Sequence, residues 1–186
     1  MNLEKIKTAL TSKINPKINN SENQKPAAVL IIIYDDPPKI LMTKKPTTMA
    51  QHGGEISFPG GKLTNSDYNL LETALRETKE ETGLDISKKY VIGQLDQVTT
   101  LNSGFTILPF VCVLDSITNL VANSEVETFL QIPLIPFLET LENDIEPEHN
   151  SIQEMYLFTF EKNIIWGASA RMLKKVKENL TRENCF

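Results

Sequence analysis

The stretch SFPGGKLTNSDYNLLETALRETKEETGL, residues 57–84, decides the fold. Gly60 and Gly61 open it, and six of the nine residues from Arg76 to Leu84 are charged or glycine. Turned at about 100° per residue, residues 69–83 make a helix. Leu71, Ala74, Leu75, Thr78 and Thr82 then share a core-facing stripe. Glu77, Glu80 and Glu81, at i, i+3 and i+4, crowd a second face. Gly83 supplies a C-terminal stop, and Asp67 or Asn69 a cap at the start. Like charges at this spacing cost a few tenths of a kcal/mol per pair. By helical pattern alone, a solvated acidic face tempered by Arg76 and Lys79 is the better reading. The alternative is a hard cation, since Mg²⁺ and Mn²⁺ prefer carboxylate, carbonyl and water oxygens and are shared with substrate phosphates. The adjacent glycines favour this alternative, because such a turn lets backbone approach a ligand closely.

Working outward, the chain has 186 residues, enough for one domain with a substantial core. Its 40% apolar and 23% charged residues are ordinary for a soluble protein. A net charge of −5 argues against a general nucleic-acid binder. Cys112 sits in an apolar run and reads as a core residue; with Cys185 far from it, neither a metal spacing nor a disulfide framework is implied. No apolar run reaches the roughly 18 residues a membrane span needs. The N-terminus has no apolar signal core, so the expected location is the cytoplasm.

Residues 1–25, rich in Asn and Lys, read as a flexible lead-in with a short amphipathic piece, and 26–182 as one domain. AAVLIIIY (27–34) has a buried-strand pattern; DDPP makes a turn and KILMTKK returns as a second strand. YVIGQLDQVTT and FTILPFVCVLD read as two strands joined at LNSG. LIPFLETLE reads as a short helix and EMYLFTFEK as a strand. IIWGASARMLKKVKENL runs from a strand end into a closing helix with Ala170, Leu173, Val176 and Leu180 on one stripe. Strands on both sides of one well-formed helix give an α/β (α+β) class.

Between Tyr90 and Glu161 there is no Lys or Arg. A cation meeting an anionic substrate must therefore come from before Tyr90 or from Lys162 onward; the best candidates are Lys44, Lys45, Lys62, Lys79, Arg171 and Lys174, most of which read as surface charge.

Gly61 and RETKEETGL (76–84) together resemble a Nudix box, G-x5-E-x7-R-E-U-x-E-E-x-G-U, where U is a bulky apolar residue. Two positions depart from it. Tyr68 stands where the early acid is usual and Asp67 takes that role, in a segment one residue longer; Thr78 stands at the first U. LMTKKPTTMAQHGGEISFPGG (41–61) is similar to the segment preceding the box in coenzyme-A-type Nudix pyrophosphatases, roughly L-L-T-x-R-S-x3-R-x3-G-x3-F-P-G-G. Leu41, Thr43, Gly54, Phe58, Pro59, Gly60 and Gly61 match, as do flanks over 103–111, 125–134 and 164–173. Lys45, Pro46 and Ala50 replace an arginine, the serine and a second arginine of that pattern.

The resemblance implies an α/β/α sandwich, a mixed sheet flanked by helices. It implies metal-dependent hydrolysis of a nucleoside diphosphate linked to another group, coenzyme A first, with a dinucleotide, ADP-ribose or nucleotide sugar as alternatives. Glu77, Glu80 and Glu81 would hold Mg²⁺ or Mn²⁺ with the Gly60 carbonyl and Glu125, ahead of Glu127. Glu77 would take the proton of water, with Glu81 and Arg76 in the catalytic set; Arg76 would orient the carboxylates. Lys44, Lys45 and Lys62 would meet the substrate. His52 reads as an exposed or structural residue and Trp166 as a core anchor for the last helix. The expected partner is the small-molecule substrate, with no nucleic acid or membrane, for a monomer or homodimer. A non-catalytic nucleotide-binding regulator fits less well, since it need not keep all three acids.

Overall fold

In the computed structural model of the protein, residues 2–18, 25–49, 53–101, 103–145 and 155–183 are described. The elements in chain order are α1 (Leu3–Leu10), β1 (Lys25–Tyr34), β2 (Lys39–Lys44), β3 (Ile56–Ser57), β4 (Gly60–Lys62) and α2 (Leu70–Thr82). They continue with β5 (Val91–Gln94), β6 (Val98–Thr99), β7 (Phe105–Leu114), β8 (Thr128–Pro133), α3 (Leu134–Glu139), β9 (Glu142–Asn143), β10 (Tyr156–Phe160), β11 (Asn163–Ile165) and α4 (Gly167–Arg182).

β1 is apolar on both sides because both sides are covered. It runs parallel to β7 along its whole length, from Lys25 opposite Phe105 to Tyr34 opposite Leu114. Its other edge is shared by two antiparallel strands: β4 opposite Ala27–Val29, and β2 opposite Ile32–Tyr34. β8 and β3 extend the sheet beyond β2, while β5 and β6 pair with β7. Alternate residues feed two cores. Val29, Ile31 and Ile33 join Val111 and Val113 in a core closed by α1, α3 and α4. Ala28, Leu30 and Ile32 join Leu108, Phe110 and Cys112 in a core closed by α2 and by Leu84 and Ile86. The molecule is thus an α/β/α sandwich around a mixed sheet. A smaller sheet, β11-β10-β9, lies beside it.

α2 starts where Asn69 caps it, accepting from the amides of Leu71 and Glu72. It ends where Gly83 adopts φ 75°, a left-handed conformation that favours glycine. Its buried stripe is rotated from the expected one. Leu70, Thr73, Ala74, Thr78, Glu81 and Thr82 are buried, while Leu71 and Leu75 are only partly covered. Packing against β1 and β4 selects this orientation and draws Glu81 inward.

The expected lead-in over 1–25 is corrected for residues 2–18, which pack on the domain. Ile6 and Leu10 of α1 are buried in the first core. Ser12 then follows β5: its amide donates to the Ile92 carbonyl, and its hydroxyl bridges the Gln94 carbonyl and amide. A Cβ on Gly93 would lie 2.4 Å from the Leu10 carbonyl oxygen, so glycine allows α1 to end directly over β5. The expected strand over 90–100 is also divided. A 3-10 turn covers Lys88–Tyr90, and β5 and β6 are separate strands. β8 had no place in the pattern reading. On the closing helix, Ala170, Leu173, Val176 and Leu180 are all buried, as the stripe requires.

Candidate active site

The site grows from β4. Gly60 has φ +154°, and a Cβ there would lie 2.3 Å from the Ala28 carbonyl oxygen. No side chain fits without moving β1. At Gly61 the constraint is different, because a Cβ would lie 2.5 Å from the Glu77 carboxyl carbon. Gly61 is therefore the floor on which Glu77 rests. Gly61→Ala displaces only the end of a side chain, so it is expected to change stability by no more than about 1 kcal/mol. It should still lower kcat/KM about 100-fold, because a misplacement near 1 Å is enough. Melting curves beside steady-state kinetics check this; full activity would show that Glu77 need not rest there.

Arg76 is the next layer. Asp67, 3% exposed at its side chain, accepts from Arg76 Nε at 2.8 Å and Nη2 at 2.9 Å. Asp67 also accepts from the Thr64 amide and hydroxyl and from the Thr73 hydroxyl. The Arg76 guanidinium holds its carboxyl well below the usual range, helped by Thr64 and Thr73 against burial. The remaining arm of Arg76, Nη1, lies 3.0 Å from Glu77 Oε1 and 3.2 Å from Glu80 Oε2. Asp67 thus fixes Arg76, and Arg76 fixes two of the three glutamates. Thr64 and Thr73 went unnoticed in the sequence; a threonine three residues before a buried acid was the available signal.

Glu81 is 4% exposed, and its Oε2 accepts from the Gly60 amide at 3.1 Å. Burial pushes its carboxyl up to about 7, against the pull of the Gly60 amide and of Lys45. Burial also raises Glu77, against Arg76. Glu80 faces outward, more than half exposed at its side chain.

Of the outlying candidates, Lys45 and Glu125 come together, with Nζ 3.7 Å from Oε2. Both act on Glu81, Lys45 lowering and Glu125 raising its pKa. Lys44, one residue away on the opposite side of the strand, instead donates to Asn163 Oδ1 at 3.3 Å. Lys62 lies 5.2 Å from the Phe105 ring centre, and only its carbonyl meets Arg76. Lys79 pairs with Asp85 on the surface. Glu127 is exposed, its amide bonded to the Lys44 carbonyl. Trp166, expected as a core anchor, is 39% exposed at the position before α4. Cys112 is buried and free, and burial pushes its thiol up to about 12. His52, Ala50 and Cys185 lie outside the described residues.

The donor set has the chemistry of a hard-cation site: carboxylate oxygens, two of them destabilised as anions by burial. As they stand, no three acidic, histidine or cysteine side chains among the described residues are gathered to hold an ion. Glu77 and Glu80 are turned onto Arg76, and Glu81 onto the Gly60 amide. A cation would recruit them by side-chain rotation on a backbone that already aligns them.

Residues 24–163 match the family described as NUDIX domain. A relative from Yersinia enterocolitica, described as an uncharacterized Nudix hydrolase NudL, is 35% identical over 164 residues, or 86% of this chain and 84% of its own length. Among solved structures, a MutT/nudix family protein from Enterococcus faecalis superposes with a TM-score of 0.61 at 14% identity, over 89% of this chain. This chain spans 65% of that protein's length. The NUDIX domain of Shewanella oneidensis NrtR, solved with ADP ribose, superposes at 0.51 with 20% identity, over 64% of this chain and 79% of its own. At such identities these two structures share the fold alone. The domain match across three quarters of the chain, and the identity to NudL, establish that this protein belongs to the Nudix hydrolase family.

Proposed function

We propose that the protein hydrolyses the pyrophosphate bond of a nucleoside diphosphate joined to another group, with coenzyme A or a derivative as substrate. Cleavage of coenzyme A gives 3′,5′-ADP and 4′-phosphopantetheine. The observation that carries the reading is the Asp67–Arg76–Glu77/Glu80 array beside buried Glu81. A domain that only bound a nucleotide would have no use for two carboxyls whose pKa burial raises. The coenzyme A assignment rests on the upstream segment, where Lys45 keeps a cation beside Glu125 and Glu81.

Glu77, Glu80 and Glu81, with Glu125 and the Gly60 carbonyl, would hold Mg²⁺ or Mn²⁺. When bound, such an ion would supply charge neutralisation for the diphosphate and acidification of a water. Glu77, raised in pKa and set on Gly61, takes the proton of the attacking water. Arg76 holds Glu77 and Glu80 in position and stays off the substrate. Lys45 meets a phosphate oxygen, as a point charge without the fork of an arginine. That difference leaves room for a second reading, another nucleotide conjugate such as ADP-ribose, the ligand found with the NrtR domain. No described helix is long and apolar enough to cross a membrane. A cytoplasmic monomer or homodimer is the matching proposal.

The test is incubation with Mg²⁺ or Mn²⁺ and coenzyme A, NADH, ADP-ribose and dinucleoside polyphosphates, with products separated by chromatography. Coenzyme A is expected to be cleaved fastest. Folded protein that turns over none of them would overturn the hydrolase reading. Intact coenzyme A beside another cleaved compound would overturn only the substrate.

A further inference from the structure

We propose that Lys45 is a built-in counter-ion that competes with a divalent cation for Glu125 and Glu81, and that it must give them up before that cation can be held. This competition rests on the reading that those carboxylates hold Mg²⁺ or Mn²⁺.

Glu125 lies in the stretch between Tyr90 and Glu161 that has no Lys or Arg. A cation for it must come from another part of the chain, and Lys45 supplies it, with Nζ 3.7 Å from Oε2. The sheet makes this meeting. Lys44 pairs with Thr128 across β2 and β8, and its carbonyl accepts from the Glu127 amide at 2.8 Å. Lys44 also pairs with Ile56 of β3, and the chain runs on from β3 to Gly60, whose amide donates to Glu81. Lys45 thus stands one residue from the junction of the strands that lead to Glu125 and to the Gly60 amide. From there its charge favours the ionised form of Glu81 against burial.

Arg76 and Lys45 both serve the acids of the site, but they are held differently. Arg76 gives two bonds to buried Asp67 and keeps one arm for Glu77 and Glu80. It cannot leave without abandoning Asp67. Lys45 is fixed only at its backbone, where its amide donates to the Glu55 carbonyl at 3.0 Å and its carbonyl accepts from the Gly54 amide at 3.1 Å. Its side chain, 24% exposed, ends among the described residues on one ion pair, too long for a charge-assisted hydrogen bond. A lysine is a point charge on a flexible stem, without the fork that locks an arginine. The ammonium can therefore swing away while the backbone stays in place. A divalent ion and an ammonium on the same two carboxylates repel each other, and little water screens them beside Glu81, 4% exposed. Lys45 is the partner that can give way. Once displaced, it is free for the phosphate oxygen that the proposed function assigns to it.

The test is Mn²⁺ binding to the full chain without substrate, read from the paramagnetic resonance of the free ion. Lys45→Gln should bind Mn²⁺ about tenfold more tightly than wild type, or 1.4 kcal/mol. Lys45→Arg keeps the charge and should bind no more tightly than wild type. Lys79→Gln removes the same charge from a surface pair with Asp85 and should shift affinity less than about twofold, since exposed charges are screened. In a Glu125→Gln background the gain from Lys45→Gln should shrink to about threefold or less, because the effects of paired residues are not additive. Melting curves check that each variant is folded, and Lys45→Met, which keeps the apolar stem, repeats the loss of charge. Equal or weaker binding by Lys45→Gln and Lys45→Met overturns the competition. So does a Lys45→Arg affinity matching that of Lys45→Gln, or a gain undiminished without the Glu125 carboxylate. Each of these results leaves the metal site standing. Mn²⁺ that binds neither wild type nor any variant would instead overturn the metal-dependent reading, and the competition with it.

Discussion

Glu81→Gln should leave the protein folded and lower kcat/KM about 10²–10⁴-fold, the range for losing a positioned acid–base group or transition-state contact. The amide has the same shape and can still accept from the Gly60 amide, so the floor of the site stays in place. What disappears is an anion held at 4% exposure. The same change has a second readout in metal-free protein. Burial raises the Glu81 carboxyl from 4.5 to about 7, so the folded state binds the extra proton between those values. Stability from this group is full below the unfolded value and declines as pH rises towards 7. At pH 8 the wild type carries the whole cost of the buried charge, and the uncharged variant does not. At about 1.4 kcal/mol per pH unit, the variant gains up to about 3 kcal/mol there. The gain should vanish near pH 4.5. Melting temperatures of both proteins across pH 4.5–8, in chelator, measure it. A variant no more stable than wild type at pH 8 would show that Lys45 and the Gly60 amide already compensate the charge. Turnover at the wild-type rate would remove Glu81 from the machinery.

The sequence announced α2 and its ends because those are local chemistry: Asn69 and Gly83 do their work within one turn of chain. The register of its buried face was not local. Charge placed Glu81 with Glu77 and Glu80 on a solvated face, whereas packing on β1 and β4 turned it inward. The same limit explains α1. Its Asn- and Lys-rich continuation reads as loose because nothing in it signals that Gly93 leaves space for Leu10 and Ser12. Conversely, the strands buried on both sides were legible as continuous apolar runs, and the closing helix as a 3.6-residue stripe. Lys45 and Glu125, eighty residues apart, met only through the β2–β8 pairing, which no periodicity reveals. Trp166 shows the opposite error. Its size suggested a core anchor, but it stands just ahead of α4, where the chain is still extended, and is 39% exposed.

Asp67→Ala should be the most damaging single change to stability near the site. Asp67 is nearly fully buried and receives five hydrogen bonds, two from Arg76, two from Thr64 and one from Thr73. Removing one partner of such a pair typically costs 3–5 kcal/mol, chiefly because the other charge is left uncompensated. Here Arg76 keeps Glu77 and Glu80 and is 27% exposed, so the low end, about 3 kcal/mol, is expected. For a chain of this size that lowers Tm by about 6–12 °C. The pH dependence gives a check that simple cavity formation would not. Asp67 has a depressed carboxyl pKa, so its contribution is present above the ordinary value of 3.8 and is lost as pH falls through the folded value. The gap between wild type and variant should therefore be flat from pH 5 to 8 and close on further acidification. Asp67→Asn separates shape from charge: it fills the same space but cannot neutralise Arg76, and should lose most of the same stability. Arg76 freed from Asp67 no longer has a fixed position from which to hold Glu77 and Glu80. Both variants should accordingly lose about 10–100-fold in kcat/KM below their melting range, the usual cost of removing a partner that orients ligating side chains. An Asp67→Asn protein as stable as wild type would mean that packing, and not the charge pair, holds Arg76 in place.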